Sequence, residues 1–309
     1  MVKRPLKYFV VDAFTDTVFK GNPAAVCLLE EEEEVERDEK WMQAVATEFN
    51  LSETCYLIPI QSTVSNANDL SNGQSVRRFH LRWFTPVAEV ELCGHGTLAS
   101  AHALFASWVP SANVIEFVTL SGVLIAKRDV PIVSTSNFSD GEPHDYFSIE
   151  LDFPSDAVLE CESADRPSLS ETLNGAPMVN ISKTAAAGDI IIEVPSGKAV
   201  EDLQPQLDEI LKCPGGGGVI ITGPAPDGSP FDFFSRYFCP KLGINEDPVC
   251  GGIHCALVPY WSKRLGKCDL VAYMASPRGG ILDLHLDETT QRVLIRGKAV
   301  AVMEGSILA

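Results

Sequence analysis

The sequence predicts an α+β chain built as two similar domains, and three observations carry that expectation. Its 309 residues exceed what one compact core usually holds. Most of its periodic segments are short and strand-like, with few helical ones between them. A Cys-Gly helix start occurs twice, as "CGHGTLASAHALF" from Cys93 and "CGGIHCALVPYWS" from Cys250, about half a chain length apart. The match is short, and Cys-Gly ahead of a helix is common, so chance stays open beside a pseudo-repeat with equivalent helix tips facing each other across a cleft.

The elements follow in order. "KYFVVDAF" and "PAAVCLL" flank Lys20-Gly21-Asn22-Pro23 and read as a hairpin. Met42, Val45, Ala46 and Phe49 recur at helical spacing, which predicts an amphipathic helix over Asp38–Phe49. "TCYLIPI", "RFHLRWF", "VIEFVTL" and "VLIAKRD" are strands, with the Cys93 helix between the second and third of them. Val130 to Asp145 is rich in proline, serine, asparagine and glycine and poor in apolar residues, so it is the expected linker, with domains over 1–130 and 131–298. Beyond it "YFSIELDF" is a strand, and Leu203, Leu207, Ile210 and Leu211 mark a helix ending before Pro214 and four glycines. "GVIITG" and "FDFFSRYF" are strands, "CGGIHCALVPYWSKRL" is a helix, and short strands run on to "AVAVMEG".

Charge narrows the function. With 42 acidic and 24 basic side chains the formal charge is −18, which argues against nucleic acid and anionic membrane as partners, because both need a basic face. Part of the excess is the run Glu30 to Glu34, read as a solvated loop. The N-terminal "MVKRPLKYFVVDAF" passes directly into strand-like alternation without a signal-peptide core. No apolar run reaches the ~20 residues of a membrane helix. The longest, Val114 to Ala126, is broken by Thr119, Ser121 and Gly122. Nine cysteines without a C-x-x-C pair read as reduced thiols of a cytoplasmic protein, not a disulfide framework or a zinc site.

The two tips are the candidate site. A helix N-terminus leaves N–H groups unpaired and carries partial positive charge, so it binds carboxylate or phosphate without a cationic side chain. Gly94 and Gly96 at the first tip, and Gly251 and Gly252 at the second, would let a ligand approach that backbone. Capping by Thr97, with glycine serving tight packing, is the structural alternative. His95 lies inside the first tip, and Glu246 and Asp247 precede the second in "NEDPVCGG". Glu53, in "NLSETCYL", stands at a strand's start beside Leu51 and Tyr56, where burial would raise a carboxyl pKa into the range of a general acid/base. Asn22 is a further pocket candidate, or simply a turn residue.

The motifs "VDAFTDTVFKGNPAAVCLL", "NLSETCYL", "LRWFTPVAEVELCGHGTLASA", "FDFFSRYFCPKLGINEDPV" and "RGKAVAVMEG" span nearly the whole chain. In that order they resemble the PhzF family, the phenazine biosynthesis-like isomerases, and within it the eukaryotic phenazine biosynthesis-like domain proteins. The resemblance implies the diaminopimelate-epimerase-like fold. In that fold two similar domains each wrap a mostly antiparallel, barrel-like sheet around a central helix. The active site lies between them, and a last strand near 299–309 can return to the first domain. It implies a homodimer that uses no metal or organic cofactor. The reaction implied is a cofactor-independent proton shift on a small carboxylate-bearing substrate. The family's catalytic glutamate maps onto Glu53, its histidine onto His95 and its aspartate onto Asp247, with the substrate carboxylate held at the tips by backbone N–H groups of Gly94 to Thr97 and Gly251 to Ile253.

One place departs from the pattern. Where the family commonly reads Asp-Pro-Val/Ala-Thr-Gly-Ser-Ala-His, this chain has "DPVCGGIH". Cys250 replaces threonine, Gly252 a substrate-binding serine and Ile253 alanine, which puts the phenazine substrate in doubt. The change also opens a second reading. Racemases and epimerases of the same fold use two helix-start cysteines as a thiol/thiolate pair, and Cys93 and Cys250 occupy those positions. Otherwise the two are small apolar pocket residues. A third reading is a binding or scaffold protein that kept the fold without catalysis.

Overall fold

The computed structural model of the chain describes residues 5–29, 38–60, 76–128, 147–161, 172–213 and 216–308. The acidic run Glu30–Glu34, the linker expected over Val130–Asp145 and the domain boundary expected at 130/131 lie outside the described residues. The chain divides into two compact units, one of Met1–Ile132, Ser136–Asp152 and Arg296–Ala309, the other of Val133–Thr135 and Phe153–Ile295.

In the first unit β1 (Leu6–Ala13) pairs antiparallel with β2 (Asn22–Leu28) and with the last strand, Ala299–Ile307. Helix α1 (Glu39–Phe49) crosses from β2 to β3 (Glu53–Pro59), which therefore runs parallel to β2, with Ala24 opposite Glu53. β4 (Val76–Phe84) is antiparallel to β3 and carries the short β5 (Glu89–Val90) on its end. Helix α2 (Gly94–Ala103) makes the second crossover, to β6 (Val114–Thr119) parallel to β4. β7 (Gly122–Arg128) and β8 (Ile149–Pro154) then add antiparallel.

The two helices of this unit differ as their sequences require. α1 buries one stripe, Met42, Val45 and Ala46, against Leu6, Cys27, Tyr56 and Phe84. Asp38 caps it by accepting the Trp41 N–H at 3.0 Å, and Asn50 ends it with φ of 50°. α2 is buried on every side, because its Gly, Ala, Ser and Leu residues let β1, β2, β3 and the last strand pack around it. It widens at its end into a π-type turn over Leu104–Trp108.

The second unit repeats this order of pairings. β9 (Val158–Glu160) pairs antiparallel with β10 (Asn180–Thr184), and β10 with β11 (Ile190–Glu193). A crossover through α3 (Gly197–Asp202) and α4 (Leu207–Ile210) leads to β12 (Val219–Pro224), parallel to β11. β13 (Phe233–Cys239) is antiparallel to β12 and carries the short β14 (Ile244–Asp247). Helix α5 (His254–Leu265) crosses to β15 (Asp269–Met274), parallel to β13, and β16 (Gly280–Asp287) adds antiparallel. β17 (Arg292–Gly297) follows. In both units each parallel pair brackets a helix, and each second crossover helix follows a short strand. The Cys-Gly echo is thus part of a repeat of topology.

Three expectations need correcting. β1 and β2 pair as predicted, but Asn22 is no turn residue. It is the first residue of β2, fully buried, opposite Ala13. The bend falls one residue earlier, at Gly21 (φ 61°), where a Cβ would lie 2.1 Å from the Ala13 carbonyl oxygen. The helix expected through Leu203, Leu207, Ile210 and Leu211 is two short helices. Pro205 lacks an N–H and forces extended backbone before it, so α3 ends at Asp202, and Leu211 is left exposed past α4. The helix expected from Cys250 starts at His254, after a tight turn over Gly251–Ile253.

Candidate active site

In the first unit the candidate residues gather at one end of the sheet. Asn22 opens β2 and Glu53 opens β3, and the parallel register sets these ends side by side. Glu53 is buried, and its charge adds to burial in pushing the Cys55 thiol well up. Cys55 Sγ in turn donates to the Gly96 carbonyl at 3.4 Å, which ties β3 to the first turn of α2.

That first turn is capped by a cysteine. Cys93 has extended backbone, and its Sγ accepts the Gly96 N–H at 3.3 Å. Thr97 donates to the Cys93 carbonyl twice, through its N–H at 3.1 Å and its Oγ1 at 2.6 Å. Thr97 therefore secures the cap without being the cap. The N–H groups of Gly96 and Thr97 are both engaged inside the turn, so those of Gly94 and His95 remain to meet an anion. Gly96 has a packing role, because a Cβ there would lie 2.9 Å from both Cys55 Sγ and Trp83 Cδ1. His95 is buried, with Nδ1 3.3 Å from Cys93 Sγ and no partner for Nε2 among the described residues. Burial lowers its pKa to about 3, so the imidazole is neutral at physiological pH.

The second tip has the same skeleton. Asp247 is buried at the end of β14, opposite Tyr237 of β13. The Ile253 backbone N–H, three residues on, favours the ionised Cys250 thiol and opposes the effect of burial. Intrahelical bonding begins from His254 N to the Gly251 carbonyl at 3.1 Å, which leaves the N–H groups of Gly251 and Gly252 ahead of it. Burial pushes the Cys250 thiol well up, and the Asp247 charge pushes it further. Gly252 is open, since the nearest atom to the place a Cβ would take is Cys250 Sγ, at 4.0 Å. Glu246 does not cap the helix. Its carboxylate takes a bidentate pair of bonds from Arg236 at 2.6 and 2.9 Å.

Two further residues belong here that the sequence did not single out. Tyr237 donates to Asp189 at 3.2 Å, and burial and the Asp189 charge hold its hydroxyl protonated. His254 is fully buried, with Nδ1 2.8 Å from the Cys250 carbonyl and Nε2 unpartnered among the described residues. A signal for His254 exists, since it stands as far after Cys250 as Thr97 stands after Cys93. Tyr237 looks like any core aromatic of a strand. Among the described residues no three His, Cys, Asp or Glu side chains are grouped to hold a metal ion, and no helix is long and apolar enough to cross a membrane.

Comparison with known proteins gives the geometry its context. The family model described as phenazine biosynthesis-like protein matches residues 11–305. The chain is 39% identical to an uncharacterized isomerase of Halalkalibacterium halodurans, over 97% of both chains. It is 38% identical to phenazine biosynthesis-like domain-containing protein 1 of Mus musculus, over 98% of this chain and 99% of that one. A crystal structure of a PhzF family protein from Enterococcus faecalis superposes with a TM-score of 0.78 at 34% identity, covering 98% of this chain and 99% of that one. A probable proline racemase from Agrobacterium radiobacter, at 11% identity and a TM-score of 0.61 over 98% of this chain and 92% of that one, shares the fold. With the repeated crossover units and the match across almost its whole length, the chain belongs to the phenazine biosynthesis-like family, PhzC-PhzF, on the epimerase-like α+β fold.

Proposed function

We propose that this isomerase shifts a proton within a small carboxylate-bearing substrate by general acid/base catalysis and without a cofactor. Glu53 is the main acid/base. Asp247 and His95 orient the substrate and hold a proton, and the N–H groups of Gly94, His95, Gly251 and Gly252 bind its carboxylate. Asn22 lines the site. We read the protein as cytoplasmic and homodimeric. The observation that carries the reading is the buried Glu53 carboxyl at the end of the sheet where α2 begins. A buried carboxyl beside the first turn of α2 is placed to pass a proton to and from a bound substrate.

The two-cysteine racemase is the second reading, and the echo of Cys93 and Cys250 favours it. It needs a ready thiolate, whereas burial and Asp247 both keep the Cys250 thiol protonated. A scaffold without catalysis gives no reason for Glu53, His95 and Asp247 to stay together.

Deuterium uptake from heavy water tests the choice, using a panel of small carboxylates and amino acids followed by mass spectrometry. We expect Glu53→Gln to lower uptake by about 10²–10⁴-fold. Cys93→Ser should keep most of it. Uptake lost with Cys93→Ser and retained with Glu53→Gln would replace this reading by the racemase.

A further inference from the structure

We propose that Cys93 is a positioning residue that fixes His95 in one tautomer, with the ring proton on Nε2, so that the imidazole meets substrate as a hydrogen-bond donor and not as a base. The inference rests on the reading that His95 contacts the substrate.

The geometry runs through three atoms. Cys93 Sγ already accepts the Gly96 N–H at 3.3 Å. It also lies 3.3 Å from His95 Nδ1. An imidazole nitrogen is a far better acceptor than sulfur, so the thiol S–H donates to Nδ1. A neutral ring has one N–H, and it then sits on Nε2. Burial keeps the ring neutral, with a pKa lowered to about 3. Nε2 is sealed from solvent and has no acceptor among the described residues. A buried donor left unpaired costs free energy, which a carboxylate or enolate oxygen recovers on arrival. A lone pair at the same place would repel that oxygen.

The second tip supplies an internal control. His254 Nδ1 lies 2.8 Å from the Cys250 carbonyl oxygen. A carbonyl only accepts, so here Nδ1 carries the proton and Nε2 the lone pair. The two histidines are therefore opposite tautomers within one molecule.

Long-range proton–nitrogen NMR spectra of the full chain, labelled with ¹⁵N-histidine, read both at once without substrate. We expect a proton-bearing Nε2 in His95 and a proton-bearing Nδ1 in His254. His95→Gln assigns the first signal by its loss. A His95 ring proton on Nδ1, or on both nitrogens, overturns the proposal in the wild-type protein itself. In Cys93→Ala the His95 signal should move toward a tautomer mixture. There kcat/KM for deuterium exchange should fall about tenfold, the worth of one hydrogen bond. Cys93→Ser, which can still donate to Nδ1 and accept from Gly96, should restore both. An unchanged tautomer in Cys93→Ala also overturns it. Because the spectra need no turnover, failure of this inference is separate from failure of the Glu53 reading, which the Glu53→Gln exchange experiment decides.

Discussion

The two helix starts share a skeleton and differ in what hangs on it. At each, the N–H three residues on acts on the cysteine sulfur: Gly96 donates to Cys93 Sγ at 3.3 Å, and the Ile253 N–H favours the ionised Cys250 thiol. The residue four on donates a side-chain hydrogen to that cysteine's carbonyl, Thr97 Oγ1 at 2.6 Å and His254 Nδ1 at 2.8 Å. Two different chemical groups thus do one structural job. The position two after each cysteine is under no such demand. It is His95 in one unit and Gly252 in the other. The lesson is that the cap sets the backbone, and the residue it leaves unassigned is where each half acquires its own chemistry.

Gly96→Ala breaks this comparison most sharply. In Gly96→Ala the new methyl group meets Cys55, Trp83 and the Cys93 sulfur at 2.9, 2.9 and 3.1 Å. We expect a loss of about 1–3 kcal/mol in urea unfolding, from overpacking and from spreading the cap. Stability within error of wild type would mean that the first tip yields as easily as the second.

Acid should loosen both tips together. Burial lowers His95 to about 3 and His254 to about 4, from an ordinary value of 6.5. Below 6.5 the unfolded chain takes up protons that the folded one refuses, so this stability is whole above that pH and is lost as pH falls toward the folded values. Each histidine should cost on the order of 2 kcal/mol by about pH 5. A flat unfolding free energy between about pH 7.5 and 5 would contradict this. His254→Gln should remove its share of the slope and leave that of His95.

The smallest effect is expected at Gly252→Ser. The nearest atom to the added Cβ is Cys250 Sγ, at 4.0 Å. Stability should change by less than about 0.5 kcal/mol. The hydroxyl that the family commonly carries would be restored, so any change in which carboxylates exchange deuterium would report on substrate choice alone. A large loss of stability would show that the open side of Gly252 is needed by the fold.

Much of this is legible in the chain. Glu53 stands out as a carboxyl where a polar turn meets an apolar strand, and it is buried at the first position of β3. The helix over Asp38–Phe49 is legible to its cap, because its stripe and its N-terminal aspartate are local signals. Gly96 reads in the sequence as room for a ligand, since nothing there reveals the Cys55 and Trp83 side chains that close on it from other strands. The break at Pro205 is a local signal that the leucine spacing masks.

By itself the sequence determined the family, the repeat of strand, crossover and Cys-Gly helix, and the chemical types gathered at each tip. These follow from periodicity, chain order and residue identity, which are properties of neighbours along the chain. Only the tertiary structure decided which N–H groups the caps consume, which glycine is packed and which is open, and which nitrogen of each buried histidine is engaged. Those depend on atoms brought together from distant segments, where a few tenths of an ångström separate a hydrogen bond from a clash, and no spacing in the sequence encodes that distance.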